Sequence, residues 1–265
     1  MIGSGPNGLA AAITLARAGL AVAVREEAAE PGGGTRSAEL TLPGFVHDVC
    51  SAIHPLVPGS PFLRTLPLTT HGLDLIESPS VLAHPLDDGT AVVVERSVEA
   101  TAAGLGEDGE AYRRLLGPLT RAWENLEASF LGPVVRPPRH PLALARFALH
   151  ALRPAEALAR ARFVATRAKA LFAGCAAHSM LPLGKRPSAG FGLVLLMAGH
   201  RFGWPFPRGG SQRIADALVA VLRYHGGDVE TGSPVRSLGE LGGMRPVLCD
   251  VGPHAFLRLA GSQLP

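Results

Sequence analysis

The chain has 265 residues, of which 47% are apolar and 18% are charged, and this balance excludes a disordered protein. The formal net charge of +3 is too small to indicate a surface for nucleic acid. Cys50, Cys175 and Cys249 are far apart, so neither a disulfide framework nor a metal site is predicted, and a reducing cytoplasm fits best.

Residues 1–44 read as a glycine turn, a helix, a buried strand and a second glycine turn. Apolar residues recur on one helical face, which predicts a helix from Gly8 to about Gly19. Leu20 to Val24 alternates too little for a half-exposed strand, which indicates a buried parallel strand ending in Glu26. Only two residues precede the glycines, so the strand that should open this βαβ unit is almost absent and its neighbour is expected to lose pairing.

The first turn, Gly3-Ser4-Gly5-Pro6-Asn7-Gly8, matches the G-x-G-x-x-G pattern of dinucleotide-binding loops. The helix that follows would direct free N–H groups and a positive dipole end at a pyrophosphate. Glu26 lies 18 residues beyond Gly8 and would accept hydrogen bonds from ribose hydroxyls. Together with Glu27 it would repel a ribose 2′-phosphate, which argues against NADP. An ordinary tight turn stays the alternative.

A second glycine run, Gly32-Gly33-Gly34-Thr35-Arg36, follows the strand within a few residues. Consecutive small residues leave backbone N–H groups open to an anion, and the Arg36 guanidinium could add a charge-assisted bond. We therefore expect one diphosphate to be held from two sides, with a plain flexible loop as the alternative.

Polar side chains then cluster between Gly44 and Pro55, where His47, Asp48, Cys50 and His54 lie close together in the sequence. The preferred interpretation is polar groups satisfied within a loop near the cofactor. A metal site, a nucleophilic Cys50 and a substrate-facing His54 stay open.

The later elements are predicted from periodicity and turn residues. A hairpin joins two strands around an Asp-Asp-Gly turn, a mostly helical region follows, and a final helix precedes a strand. In chain order these are strands at Val81 to His84 and Ala91 to Glu95, a helix from Asp108 to Phe130, one or two helices from Pro141 to Phe172 broken near Pro154, a helix from Ser211 to Tyr224, and a strand with a turn from Asp228 to Leu238.

Six arginines are distributed along part of the predicted helical region. It is otherwise rich in Leu and Ala, so it is compatible with lying on a lipid surface, although a solvated face is the commoner reason for such a pattern. Its arginines are Arg139, Arg146, Arg153, Arg160, Arg162 and Arg167. Contact with a membrane periphery therefore stays open for a protein predicted to be cytoplasmic.

At the first glycine loop, Glu26, the second glycine run and the segment from Gly44 to Pro55, the chain resembles the phytoene desaturase-like, FAD-dependent oxidoreductases. The likeness is greatest to the branch containing pyridine nucleotide-disulfide oxidoreductase domain-containing protein 2. Later segments resemble the same branch at Ala176 to Ser179, Gly203 to Ser211 and Gly226 to Val235.

The resemblance implies an α/β fold with a Rossmann-like (GR2-type) FAD-binding domain at residues 1–75 and 203–265 and an inserted, mostly helical α+β substrate domain at residues 76–202. Both glycine loops would hold the FAD diphosphate, Glu26 the adenosine ribose and Val235 the adenine through its backbone. The residues so assigned are Gly3, Ser4, Gly5, Pro6, Asn7, Gly8, Glu26, Gly33, Gly34, Thr35, Arg36 and Val235. Such enzymes transfer hydride from a hydrophobic substrate to the flavin. No catalytic acid or base is assigned.

The family has a full first strand and, beyond the last residue of this chain, more substrate domain and a further glycine-rich segment. We therefore expect a fragment or an incompletely delimited gene product. Two alternatives stay open: a non-catalytic nucleotide-binding or membrane-associated protein, and an NAD-dependent dehydrogenase. The run from Gly32 to Arg36 speaks against the latter.

Overall fold

The computed structural model describes residues 1–132, 137–243 and 246–261. Its helices are α1 Pro6–Arg17, α2 Leu56–Gly59, α3 Val98–Ala103, α4 Gly109–Arg121, α5 Trp123–Phe130, α6 Pro141–Ala151, α7 Ala155–Arg162, α8 Thr166–Ala177, α9 Ser188–Phe202, α10 Gln212–Tyr224 and α11 Pro253–Ala260. Its strands are β1 Ala23–Arg25, β2 Ser37–Glu39, β3 Val46–Asp48, β4 Leu75–Ile76, β5 Ser80–Pro85, β6 Ala91–Glu95, β7 Phe206–Pro207 and β8 Asp228–Glu230.

The chain folds into two compact units. The first comprises Met1–Ile53, Thr65–Ile76 and Phe206–Pro265, and the second comprises His54–Arg64 and Glu77–Pro205. The assignment of FAD binding and substrate binding to separate domains stays a prediction. No helix among the described residues is both long enough and apolar enough to cross a membrane.

A parallel sheet organises the first unit. Strand β1 pairs with β8, and on its other side Ile2 forms parallel bridges to Arg25 and to Cys249. The Ile2 N–H donates to the carbonyl of Leu248 at 2.9 Å. One residue of the opening strand is thus enough to join both neighbours, so the expected loss of pairing does not occur.

Helices α1 and α10 pack against each other in this unit. Helix α1 buries Leu9 and Ile13 on the face that the sequence predicts. It begins at Pro6 rather than Gly8, because proline at the first helical position has no N–H to leave unpaired. The predicted helix from Ser211 to Tyr224 is observed as α10. Of the predicted strand with a turn from Asp228 to Leu238, only Asp228–Glu230 forms a strand, β8.

The second unit combines a hairpin with a bundle of helices. Strands β5 and β6 pair antiparallel, which confirms the predicted hairpin. The predicted helix from Asp108 to Phe130 is divided into α4 and α5 at Ala122, and the region from Pro141 to Phe172 contains three helices rather than one or two. Its core is apolar and includes the fully buried side chains of Tyr112, Trp123, Phe172, Leu193 and Met197.

A buried carboxylate holds the connection between two of these helices. The side chain of Asp108 accepts hydrogen bonds from the N–H groups of Val164 and Ala165, both at 2.8 Å, immediately before α8. These donors precede the first full helical turn and lack carbonyl partners within the helix. The link between α7 and α8 is therefore held by a residue more than fifty positions earlier in the chain.

We expect Asp108→Ala to lower the free energy of unfolding by about 2–3 kcal/mol, because two amides lose a charged acceptor. Asp108→Asn keeps one acceptor oxygen and should cost less. Chemical denaturation measures both, with the exposed neighbour variant Glu107→Ala as the control. Equal losses for Asp108→Ala and Glu107→Ala would show that these two hydrogen bonds contribute nothing.

Candidate functional site

The first glycine loop and the end of β1 are joined through the carboxylate of Glu26. Its Oε2 atom accepts the Ser4 N–H at 2.9 Å and the Ser4 hydroxyl at 2.5 Å, and its Oε1 atom accepts the N–H of Ala28 at 2.9 Å. The predicted acid therefore faces the loop. Each carboxylate oxygen can accept about two hydrogen bonds, so Oε1 retains capacity for a further donor.

The environment of Glu26 favours its ionised form. Burial raises the pKa of this carboxyl, but the bonds from the Ser4 hydroxyl and from the backbone N–H groups of Ala28 and Ser4 outweigh burial. The positive charge of Arg36 adds a smaller effect in the same direction. The net pKa of Glu26 lies below its ordinary value, so a ribose hydroxyl would meet an anionic acceptor.

The second glycine run lies against the first. The Gly32 N–H donates to the carbonyl oxygen of Ser4 at 3.0 Å, and a Cβ built on Gly33 would lie 3.1 Å from the Cα of Gly5. Gly33 itself has a φ of +52°, a conformation that favours glycine. The structure thus brings together the two loops that the sequence predicts on opposite sides of one ligand.

A cavity of about 640 Å³ opens between these loops within the first unit. Nine of the residues assigned to FAD line it: Gly3, Ser4, Gly5, Pro6, Asn7, Glu26, Gly33, Gly34 and Val235. The other three assigned residues, Gly8, Thr35 and Arg36, do not line the cavity. Gly8 is buried beneath the loop, the Thr35 hydroxyl donates to the Gly32 carbonyl at 2.8 Å, and the Arg36 Nε–H donates to the Gly33 carbonyl at 3.0 Å.

Within the two glycine loops, four backbone N–H groups of lining residues have no hydrogen-bond partner in the described part of the chain. They belong to Gly5, Asn7, Gly33 and Gly34, two from each loop. Unpaired amides gathered at one concave surface, next to the amino end of α1, form a site that fits a phosphate group. This is the chemistry that the glycine patterns predict.

The cavity lining also includes charged residues that the sequence did not predict. Asp250 approaches the first loop, and three arginines, Arg25, Arg236 and Arg258, also line the cavity. The signal that could have found Asp250 is a short apolar run followed by Gly252-Pro253, a pattern typical of a strand leading into a helix. The structure places that segment beside Ile2 and starts α11 at Pro253.

Two side chains of the polar cluster after the second loop have hydrogen-bond partners, which lie outside the segment from Gly44 to Pro55 that the prediction named. The Asp48 carboxylate accepts the Ser37 hydroxyl and the Ser211 N–H, both at 2.7 Å, and the His47 ring bonds the Thr41 hydroxyl at 2.7 Å. Cys50 is an exposed free thiol. No group of three or more metal-ligating side chains occurs among residues that the structure describes.

Comparison with known sequences finds a matching domain family and a relative. The family of NAD(P)-binding Rossmann-like domains matches residues 1–66. Hydroxyneurosporene desaturase of Cereibacter sphaeroides is 31% identical, and the match covers 92% of this chain and 51% of the desaturase. The chain therefore spans about half the length of the curated relative that it matches.

Solved structures share the fold at low identity. A protein of Pyrococcus furiosus superposes with a TM-score of 0.58 at 18% identity, over 99% of this chain and 61% of that one. Wild-type putrescine oxidase bound to putrescine gives a TM-score of 0.54 at 21% identity, over 89% of this chain and 51% of that one. The comparisons confirm the Rossmann-like α/β fold and the resemblance to phytoene desaturase-like FAD-dependent oxidoreductases. The roles of individual residues stay predictions.

The lowered pKa of Glu26 predicts a loss of stability in acid. The folded-state pKa lies below 4.5, so the stability contributed by the ionised carboxylate is complete above that value and is lost as pH falls through the folded pKa. We expect the Tm of the wild type to fall more steeply below about pH 4.5 than that of Glu26→Gln. Calorimetry at several pH values measures this, with exposed Glu30→Gln as the control. Parallel profiles for wild type and Glu26→Gln would contradict the assignment.

Proposed function

We propose that the first unit binds FAD and that the chain acts as an FAD-dependent oxidoreductase of desaturase or dehydrogenase type, taking hydride from a hydrophobic substrate. The observation that carries the proposal is the set of four unpaired amides, from two glycine loops, around one cavity beside the ionised Glu26. Bound FAD would supply the hydride-accepting flavin, and the residues described above would bind and orient it.

The two loops suit a diphosphate because they present donors without side chains. A Cβ built on Gly33 would lie 3.1 Å from the Cα of Gly5, so a larger residue at position 33 would narrow the space between the loops. Amides from both sides can then reach different phosphate oxygens. This arrangement supports a dinucleotide held through its central diphosphate.

The adenosine half would lie toward Glu26 and Val235. The free capacity of Glu26 Oε1 suits one ribose hydroxyl, while the negative charges of Glu26 and Glu27 oppose a 2′-phosphate. Val235 lines the same cavity, and neither of its backbone groups is paired within the described residues. Those two groups are therefore available to the edge of an adenine ring.

FAD is proposed over NAD on two grounds. The second glycine run adds donors to the diphosphate site that the first loop alone would not supply, and the sequence relative is a desaturase. The substrate class, a hydrophobic molecule, is proposed for this chain only by analogy with that relative.

Titration with FAD tests the proposal. We expect the wild type to acquire flavin absorbance near 450 nm and to bind FAD more tightly than NADH. Glu26→Ala should weaken FAD binding by about tenfold or more, because the ribose and Ser4 both lose a charged acceptor. Exposed Glu30→Ala is the matched control, and circular dichroism verifies folding. Folded protein that ignores FAD, or prefers NADH, would refute the proposal.

We also propose that the second unit contacts anionic lipid. A hydrophobic substrate would dissolve in the lipid rather than in water. Between residues 128 and 205 the sequence contains eleven Lys and Arg but one acidic residue, Glu156. On α6, Leu142 and Leu149 are 76% and 71% exposed and share one face with exposed Arg146. Exposed leucines beside arginines suit a surface that offers both acyl chains and negative headgroups.

Vesicle flotation tests the lipid contact. We expect binding to vesicles of phosphatidylcholine with about 30% phosphatidylserine, and a loss of about tenfold in Arg146→Gln/Leu149→Ser, since both attractions weaken. The matched control, Arg17→Gln/Leu20→Ser, changes exposed residues of the first unit and should bind like wild type. Equal binding by both double variants, or none by wild type, would refute the lipid contact.

A further inference from the structure

The carboxylate of Asp250 occupies the amino end of α1, inside the cavity assigned to the dinucleotide. Its Oδ2 atom accepts the Gly8 N–H at 2.7 Å, and a Cβ built on Gly5 would lie 3.0 Å from the same oxygen. The Asp250 N–H donates to the Ile2 carbonyl at 2.8 Å, so the backbone of this residue belongs to the sheet. Asp250 therefore links the sheet to the glycine loop.

The position explains how the helix is capped without a capping side chain. The residue before α1 is Gly5, which has no side chain to bond the amides of the first turn. Pro6 has no N–H, Asp250 takes the N–H of Gly8, and the N–H of Leu9 reaches the Gly5 carbonyl. Of the first-turn amides, that of Asn7 is left for a ligand.

The same carboxylate opposes an anionic ligand. The charged residues lining the cavity are three arginines and three carboxylates, so the lining carries no net charge: Arg25, Arg236, Arg258, Glu26, Glu27 and Asp250. Glu26 is placed to accept ribose hydroxyls. Asp250, in contrast, bonds the amino end of α1, where the N–H of Asn7 is available to the diphosphate. Like charges at such short range repel by an amount that depends on the local dielectric.

We infer that Asp250 is a positioning residue that limits cofactor affinity: it holds the glycine loop in its binding conformation through Gly8 while its charge weakens the hold on the diphosphate. This inference rests on the proposed binding of FAD. The positioning of the loop depends on the acceptor oxygen of Asp250, and the weaker hold on the diphosphate depends on its charge. Substitutions can remove the charge alone or both properties together.

The experiment compares Asp250→Asn with Asp250→Ala by titration with FAD and with ADP at low ionic strength. Asparagine keeps an acceptor oxygen for Gly8 and removes the charge, so FAD and ADP should bind about three- to tenfold more tightly than to wild type. This gain should shrink in about 0.5 M NaCl, because salt screens charge. Alanine removes the acceptor as well, so Asp250→Ala should have a lower Tm and bind both ligands less tightly than Asp250→Asn.

Glu39→Gln removes one negative charge from an exposed residue outside the cavity and should leave both affinities unchanged. Unchanged or weaker binding by Asp250→Asn, when wild type binds FAD, would overturn the inference and leave the proposed function intact. Equal affinities for Asp250→Asn and Asp250→Ala would overturn the positioning role. Absence of FAD and ADP binding in wild type and in both variants would overturn the inference together with the proposed function.

Discussion

The contact between Glu26 and Ser4 is the interaction on which the rest of the nucleotide-binding unit depends. It joins the end of β1 to the first glycine loop, and Ser4 in turn accepts the N–H of Gly32 from the second loop. One buried serine thereby fixes three separate segments. Because its partner is ionised, these bonds are charge-assisted and stronger than neutral ones. These bonds hold the conformation of the loop, so its remaining N–H groups can stay unpaired and open to a ligand.

Asp250 completes the arrangement from the other end of the chain. Its segment pairs with Ile2, whose bridge to Arg25 carries the sheet on to β1 and β8. A single residue suffices for this because backbone pairing on both sides, with burial of the Ile2 side chain, replaces the contacts of a longer strand. The candidate site thus lies where strands distant in sequence end side by side, next to the two glycine loops.

The second unit differs from the first in composition. It has an apolar core, a buried Asp108 carboxylate and many arginines, whereas the first unit is rich in glycine. The proposed hydrophobic substrate, lipid contact and flavin are consistent with one another, because an enzyme that acts on a substrate dissolved in a bilayer must reach the bilayer surface. The resemblance to a desaturase agrees with this combination.

The sequence by itself determined the local features: helix α1, the hairpin of β5 and β6, both glycine loops and the acid that follows β1. Each depends on residues close together in the chain, where periodicity, glycine and the spacing from Gly8 to Glu26 carry the information. Only the tertiary structure decided that Ile2 is a paired strand, that Phe163 ends a helix and that Asp250 bonds Gly8. Those outcomes depend on partners up to 242 positions apart, and such pairs produce no periodic pattern in the sequence. The free energy of their burial and hydrogen bonding is gained only after the long loop between the two partners has closed.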